Sequence, residues 1–250
     1  MKTHIYYRVN PKISKTPAVH SNNKLKLVEY ALKSFKTGLG DYKADITVLY
    51  DSCPREYYEL FQKYLPGHEE IILSGAGNQK SWQYQLDLIK NNKSDVVYLA
   101  EDDYYYKPGT MRKLADFLTY MDADFVTPYD HPDNYNLKMH EKKYEIINCF
   151  GQHYRTIGTT TNTFMAKHDT LLKVMPTLES FTNGNSDAGY WMGLTGHNLL
   201  SEYSHWSWRH GHWPQILKTL IVGGYKLWCP VPGFATHLES TCISPGMVLQ

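Results

Sequence analysis

Tyr98-Leu-Ala-Glu-Asp-Asp-Tyr104 is the stretch on which the fold turns. Just before it, Asp95-Val-Val-Tyr-Leu-Ala100 is a short, β-branched, apolar run, too brief for a helix and predicted to be a strand. The run ends in three consecutive acids, Glu101, Asp102 and Asp103. Carboxylates packed this closely repel one another unless they are solvated or share a cation. Hard oxygen ligands of this kind suit magnesium or manganese, which keep open positions for waters or substrate phosphates. A polar turn after a buried strand is the other use of such a triplet, and the rest of the chain has to decide between them.

Toward the N-terminus the pattern alternates. Thr3–Val9 reads as a first strand, ended by Asn10-Pro11, and residues 12–23 as a polar loop. Leu25, Val28, Leu32 and Phe35 fall at helical spacing, closed by Gly38 and Gly40. Asp45–Tyr50 is a second strand. Pro54 opens a helix that puts Tyr57, Leu60, Phe61 and Tyr64 on one face. Glu70–Leu73 is a third strand, and Ser81 is a candidate cap for a helix carrying Trp82, Leu86 and Ile89. The acidic strand comes fourth. This order predicts an α/β fold with a parallel sheet and helices on both faces. Ligands in such sheets bind at the carboxyl ends of the strands, so Arg8, Asn10, Asp51 and the acidic triplet are expected in one crevice. No Gly-x-Gly-x-x-Gly follows the first strand, so a dinucleotide fingerprint is missing.

Toward the C-terminus, Pro108 and Thr110 introduce a helix through Met111, Leu114, Phe117 and Met121. Asp124–Thr127 is a fifth strand broken by Pro128, and residues 129–143 read as irregular. Tyr144–Cys149, Tyr154–Ile157 and Thr163–Ala166 read as strands, followed by a helix capped by Asp169. A turn-rich segment, Asn183–Gly189, leads into an aromatic helix at Tyr190-Trp191. Tyr225–Cys229 is a strand, Pro230–Pro232 a break, and Phe234–Leu238 the last extended piece. There is no repeat, low-complexity tract or linker, so one domain is expected.

Hydrophobic residues make up 42% and charged residues 20%, which excludes a disordered chain. A formal charge of +1 with no basic run argues against a nucleic-acid partner. The four cysteines form no Cys-x-x-Cys pair, so neither a zinc motif nor a disulfide framework is read, and free thiols are expected. The N-terminus lacks the apolar core of a signal peptide and no stretch approaches a membrane span, so a soluble, cytoplasmic protein is expected. His205–Trp213 is the most aromatic stretch. Its tryptophans are candidates for stacking on a sugar, but a packed helix-and-turn explains them better. His210-x-His212 has no nearby Cys or Glu to complete a zinc site.

Four landmarks together resemble the GT-A class of nucleotide-sugar-dependent glycosyltransferases, over roughly the whole chain. Glu101-Asp102-Asp103 looks like its acidic "DXD" metal motif in a Glu-Asp-Asp form. Gly158 and Thr159, opening a threonine-rich turn, look like its glycine loop near the donor sugar. Asp187, before Ala188-Gly-Tyr-Trp-Met192, looks like the acid of its "xED" motif. His237 in Ala-Thr-His-Leu238 looks like its C-terminal metal-binding histidine. Position 186 is Ser where that class usually has Glu, and the chain is short for the class. The resemblance implies a GT-A-like, Rossmann-like, mostly parallel sheet flanked by helices in a single domain. It implies a nucleotide-binding part at 1–107 and an acceptor-side part at 108–250.

It also implies roles. Asp103 and His237 would hold Mn2+ (or Mg2+), with Glu101 and Asp102 on ribose hydroxyls or metal-bound water. Asp51 would contact the base, Tyr7 and Arg8 would flank it, and Lys80 would meet a phosphate. Asp187 would be the general base toward a hydroxyl of a carbohydrate acceptor, attacking a UDP-linked donor with inversion. Ordinary alternatives stand beside these roles: a turn-forming Asp51, a core Tyr7, a solvated Arg8 and Lys80, Asp187 as a helix N-cap, and His237 as one of 12 histidines with a structural role. The rival enzyme is a sugar-phosphate nucleotidyltransferase, whose Gly-rich, Arg-containing first loop Arg8-Val-Asn-Pro11 does not match. A glycosidase with paired carboxylates would not need His237, and a non-catalytic carbohydrate-binding protein would leave the acidic triplet without a use.

Overall fold

Ile5, Tyr7 and Val9 turn one way out of the first strand, and Tyr6 and Arg8 turn the other. That strand, β1 (Thr3–Val9), is buried along its whole length, as expected for a central strand covered on both faces. The computed structural model describes residues 1–13, 16–141 and 144–249. Residues 14–15 and 142–143 of the two segments read as loops therefore lie outside the described residues.

β1 pairs in parallel with β2 (Asp45–Asp51) on one side and with β4 (Val96–Glu101) on the other. β3 (Glu69–Leu73) continues the parallel set beyond β2. The crossovers are α1 (Lys24–Leu39), α2 (Arg55–Tyr64) and α3 (Gly77–Lys90). After β4 come the ribbon strand β5 (Tyr104–Tyr106), α4 (Thr110–Tyr120), β6 (Phe125–Val126), the short α5 (Asp133–Asn136), β7 (Ile146–Cys149), β8 (Gln152–Ile157) and β9 (Phe164–Lys167). Then follow α6 (His168–Glu179), α7 (Asp187–Thr195), α8 (His205–His210), α9 (Trp213–Val222), β10 (Leu227–Val231) and β11 (Ala235–His237).

Among the described residues the main sheet has nine strands in the order β3-β2-β1-β4-β9-β6-β10-β8-β7. β9 runs against β4 and β6, and β8 runs against β10 and β7, while the rest share one direction. The sheet is mostly parallel rather than wholly so. β5 and β11 form a separate antiparallel ribbon, pairing Tyr104 with His237.

The period of two along the strands divides the core between the faces. Ile5, Tyr7, Val48, Tyr50 and Tyr98 pack against Val28, Leu32 and Phe35 of α1 and Phe61 of α2. Tyr6, Leu49, Val97 and Leu99 pack against Trp82, Leu86 and Ile89 of α3 and Trp191 of α7. Burial of this extent is worth roughly 1.5–3 kcal/mol for each large side chain before chain entropy is subtracted.

Several expected boundaries move. α3 begins at Gly77, so Ser81 lies inside it and is not its cap; its hydroxyl donates back to the Asn78 carbonyl at 3.0 Å. Asp169 lies in the first turn of α6, whose cap position is Lys167. The cap of α7 is Ser186, whose hydroxyl accepts the Gly189 N–H at 2.9 Å, and this leaves Asp187 as the first helical residue. Pro230 stays within β10 instead of breaking it.

Candidate active site

Register and alternation decide where the strand-end residues point. Arg8 is the cross-strand partner of Glu101 in the parallel β1–β4 pair, so both side chains leave the sheet on the α3 face. Asp102 and Asp103 follow in the turn before β5. Together with Asn10, Lys24, Asp51 and Asn78 they line a cleft of about 530 Å³ at the carboxyl ends of β1, β2 and β4. That volume lies within the range of small-molecule sites, ~300–1,000 Å³.

The three neighbouring carboxylates do not share one cation; each has its own. The Arg8 guanidinium donates to Glu101 Oε1 at 2.7 Å, and Thr163 Oγ1 donates to Glu101 Oε2 at 3.1 Å. The buried Lys24 ammonium donates to Asp102 Oδ1 at 2.7 Å, and the Asn10 N–H donates to Oδ2 at 2.8 Å. Burial opposes the charged amine of Lys24, but Asp102 and Asp103 hold its pKa above the usual value. Asp103 turns to the ribbon, where its Oδ2 meets His237 Nε2 at 3.1 Å. Burial works against both charges of that pair, and their attraction overcomes it, carrying Asp103 down to about 2 and His237 up to about 10.

Arg8 is held on its other side as well. Its second terminal nitrogen donates to Asn78 Oδ1 at 2.9 Å, and its guanidinium lies 5.3 Å from the centre of the Trp82 ring. Its Nε is buried with no protein partner. Asp51 is part of the scaffold, because its two carboxylate oxygens accept the N–H groups of Ala76 and Gly77 at 2.8 and 2.7 Å. α3 has no side-chain cap of its own, so Asp51 serves the orphan donors at its start from across the sheet end. Gly75 and Gly77 take φ of +62° and +69° to bring those donors round, a region that glycine enters without steric cost.

Two expected contacts are not made. Tyr7 lies on the α1–α2 face, fully buried with its ring edge-on to Phe35 and Phe61 at 5.0 and 5.1 Å, so it cannot flank a base. Lys80 is exposed on α3 and does not line the cleft.

Gly158, Thr159 and Asp187 gather elsewhere. A smaller cleft of about 160 Å³ is lined by Thr159, Thr160, Thr161 and Asp187, with His131 and His140 among its walls. Gly158 is required there by packing: a Cβ would approach the His197 ring to 2.1 Å. Thr159 Oγ1 lies 3.2 Å from His140 Nδ1. Tyr104 links the two clefts, donating to Thr161 Oγ1 at 2.8 Å while its ring stands edge-on to His237 at 5.0 Å.

No family model matches the sequence, and no curated protein matches it. Solved structures do match. TarS of S. aureus, residues 1–349 in complex with UDP, aligns with a TM-score of 0.51 at 13% identity over 77% of this chain and 54% of that one. The chain has a GT-A fold. The same TarS fragment in complex with UDP-GlcNAc gives 0.47 at 12% identity over 77% and 52% of the two chains. The CMP:2-keto-3-deoxy-manno-octonic acid synthetase complexed with CTP gives 0.43 at 10% over 73% and 83%. The chain thus spans about half the length of the TarS fragment that it matches.

Within this GT-A fold Asp103 and His237 could hold a divalent cation only in place of the proton that now joins them. Neighbouring ligands of an octahedral ion at 2.0–2.1 Å stand about 3 Å apart, and the carboxylate and imidazole here are separated by 3.1 Å. Glu101 and Asp102 are already occupied by protein donors. Sequence reasoning missed Lys24, Thr163 and Asn78, which hold the site together. Lys24 opens a helix, where a lysine normally faces water, and only the fold shows that it points at Asp102. Trp208 proves structural, donating to the Leu199 carbonyl at 2.6 Å.

Proposed function

We propose that this chain is a divalent-metal-dependent glycosyltransferase that moves a sugar from a nucleotide diphosphate donor, UDP-linked, to a hydroxyl of a carbohydrate acceptor. The observation that carries the reading is the meeting at 3.1 Å of His237 with Asp103, which lines the strand-end cleft. Their chain positions are far apart, and only the pairing of β5 with β11 brings them together. UDP is bound by TarS in the structure that this chain matches at a TM-score of 0.51, which supports the choice of nucleotide.

Mn2+, or Mg2+ in its place, would be held by Asp103 and His237 and would supply neutralisation of the leaving diphosphate's charge. The chain's own residues do the rest. Arg8, fixed by Glu101 and Asn78, lines the cleft and lends its positive charge to a nucleotide bound there. The threonine turn 159–161 offers hydroxyls beside the smaller cleft. Asp187, half-buried at the start of α7, takes the proton of the acceptor hydroxyl as that oxygen attacks. Attack from the side opposite the diphosphate inverts the anomeric carbon.

Turnover of UDP-sugars with Asp187→Asn is the test. A lost general base costs roughly 10²–10⁴ in kcat, while UDP affinity should be unchanged. Full activity in the variant would remove Asp187 from the mechanism. Release of pyrophosphate from a nucleoside triphosphate and a sugar phosphate would move the chain to nucleotidyl transfer.

A further inference from the structure

His237 presents its two ring nitrogens to two different groups. Nε2 faces Asp103 at 3.1 Å, and Nδ1 faces Glu239 Oε2 at 3.7 Å. That same Glu239 oxygen accepts the Cys242 thiol at 3.4 Å. One donor atom from each of His237, Glu239 and Cys242 falls within 4.8 Å of the other two. The backbone builds this arrangement. β11 ends at His237, and a tight turn, closed by the Cys242 N–H on the Glu239 carbonyl at 2.9 Å, folds the thiol back over the carboxylate. Ser240 N–H donates to the Thr16 carbonyl at 2.9 Å, and Tyr129 Oη donates to the Cys242 carbonyl at 2.7 Å, so the turn is fixed from two sides. All three side chains are half-buried.

A tetrahedral zinc ion with ligands at about 2.0–2.3 Å separates its ligand atoms by roughly 3.3–3.7 Å. The separations of 3.7 and 3.4 Å around Glu239 Oε2 already match that spacing. We propose that His237 Nδ1, Glu239 and Cys242 form a three-ligand site for a zinc-class ion, distinct from the oxygen-rich position beside Asp103. Thiolate and imidazole favour zinc and cobalt over magnesium or manganese. Three protein ligands leave a fourth position open to water or a substrate oxygen. The thiol gives its proton to solvent when it becomes the thiolate ligand. Metal on Nδ1 would also fix the ring with Nε2 aimed at Asp103, the way an outer partner orients a ligating histidine. The spacing His-x-Glu-x-x-Cys carries no Cys-x-x-Cys pair.

A neutral imidazole has one lone pair, so a metal on Nδ1 leaves the ring proton on Nε2 facing Asp103, and the two metal positions are filled one at a time. They share no other ligand, so variants separate them. The full chain, stripped of metal, is titrated with Co2+ and followed by absorption. One equivalent should raise a thiolate-to-cobalt charge-transfer band and the intense visible bands of tetrahedral cobalt, and Zn2+ should abolish both. Cys242→Ser should lose the charge-transfer band; Cys53→Ser, which removes the other half-buried thiol, and Asp103→Asn should keep it. Glu239→Gln should weaken cobalt binding by about tenfold or more, with circular dichroism checking that each variant is folded. Absence of the band, its survival in Cys242→Ser, or its loss in Cys53→Ser overturns the site. Failure to bind UDP leaves this spectrum unchanged, so this proposal and the nucleotide reading fail separately.

Discussion

Lys24 and Asp102 meet in the wall of the cleft, both largely shielded from solvent. Breaking a buried pair by removing one partner typically costs 3–5 kcal/mol, because the other charge is stranded. Lys24→Met is therefore expected to lower the unfolding free energy by about 3–5 kcal/mol, read from urea denaturation, and Lys24→Met with Asp102→Leu should recover much of that loss. A Lys24→Met protein of unchanged stability would mean that Asp102 is solvated or protonated without cost. The acidic triplet, Arg8 and Asp51 could be picked out in the sequence because each lies at a strand end, where side chains must face a crevice, and His237 only through the resemblance to the GT-A class. Tyr7 could not be separated from Arg8 in that way: the two are one step apart, and only the register shows which of them leaves the sheet toward α3. Gly158 marks a contact rather than a loop rule. Gly158→Ala must displace the His197 ring and should cost about 1–3 kcal/mol by the same denaturation measurement.

α3 depends for its start on a carboxylate from another element. Asp51→Ala removes the acceptor from two N–H groups at once. Ala76 is half-buried and Gly77 exposed, so the loss should be that of a helix cap, about 0.5–2 kcal/mol, and amide exchange at Ala76 and Gly77 should accelerate while β1 and β4 stay protected. Unchanged exchange at both residues would show that water replaces the carboxylate without penalty. The first four strands and their helices were legible because long apolar runs and helical spacing alternate cleanly. β5 was not: it is only three residues long, and although Phe234–Leu238 reads as extended, nothing in the pattern signals that β11 pairs with β5. α9 escaped for a different reason. Leu217, Leu220 and Ile221 face solvent while Gln215 and Thr219 are buried, with Thr219 donating to the Gly193 carbonyl at 2.9 Å. Ile216 alone of its aliphatic residues packs in a buried cluster with Met192 of α7, so most of the apolar pattern points away from the core and gives no usual stripe.

Over the whole molecule, the second half of the chain does not append to the sheet but completes it. β9 inserts beside β4, and β11 returns to β5, so His237 is delivered to Asp103 by the last strand of the fold. Among the described residues no helix is long and apolar enough to cross a membrane. The GT-A fold leaves the chemistry to the site, and the site depends on whether Asp103 and His237 act on a cation together. Calorimetric titration with UDP decides this, performed with Mn2+, with EDTA, and on Asp103→Ala. Binding that requires Mn2+ and is lost both in EDTA and in the variant is the predicted result. Equal UDP affinity with and without metal, and in Asp103→Ala, would contradict the account.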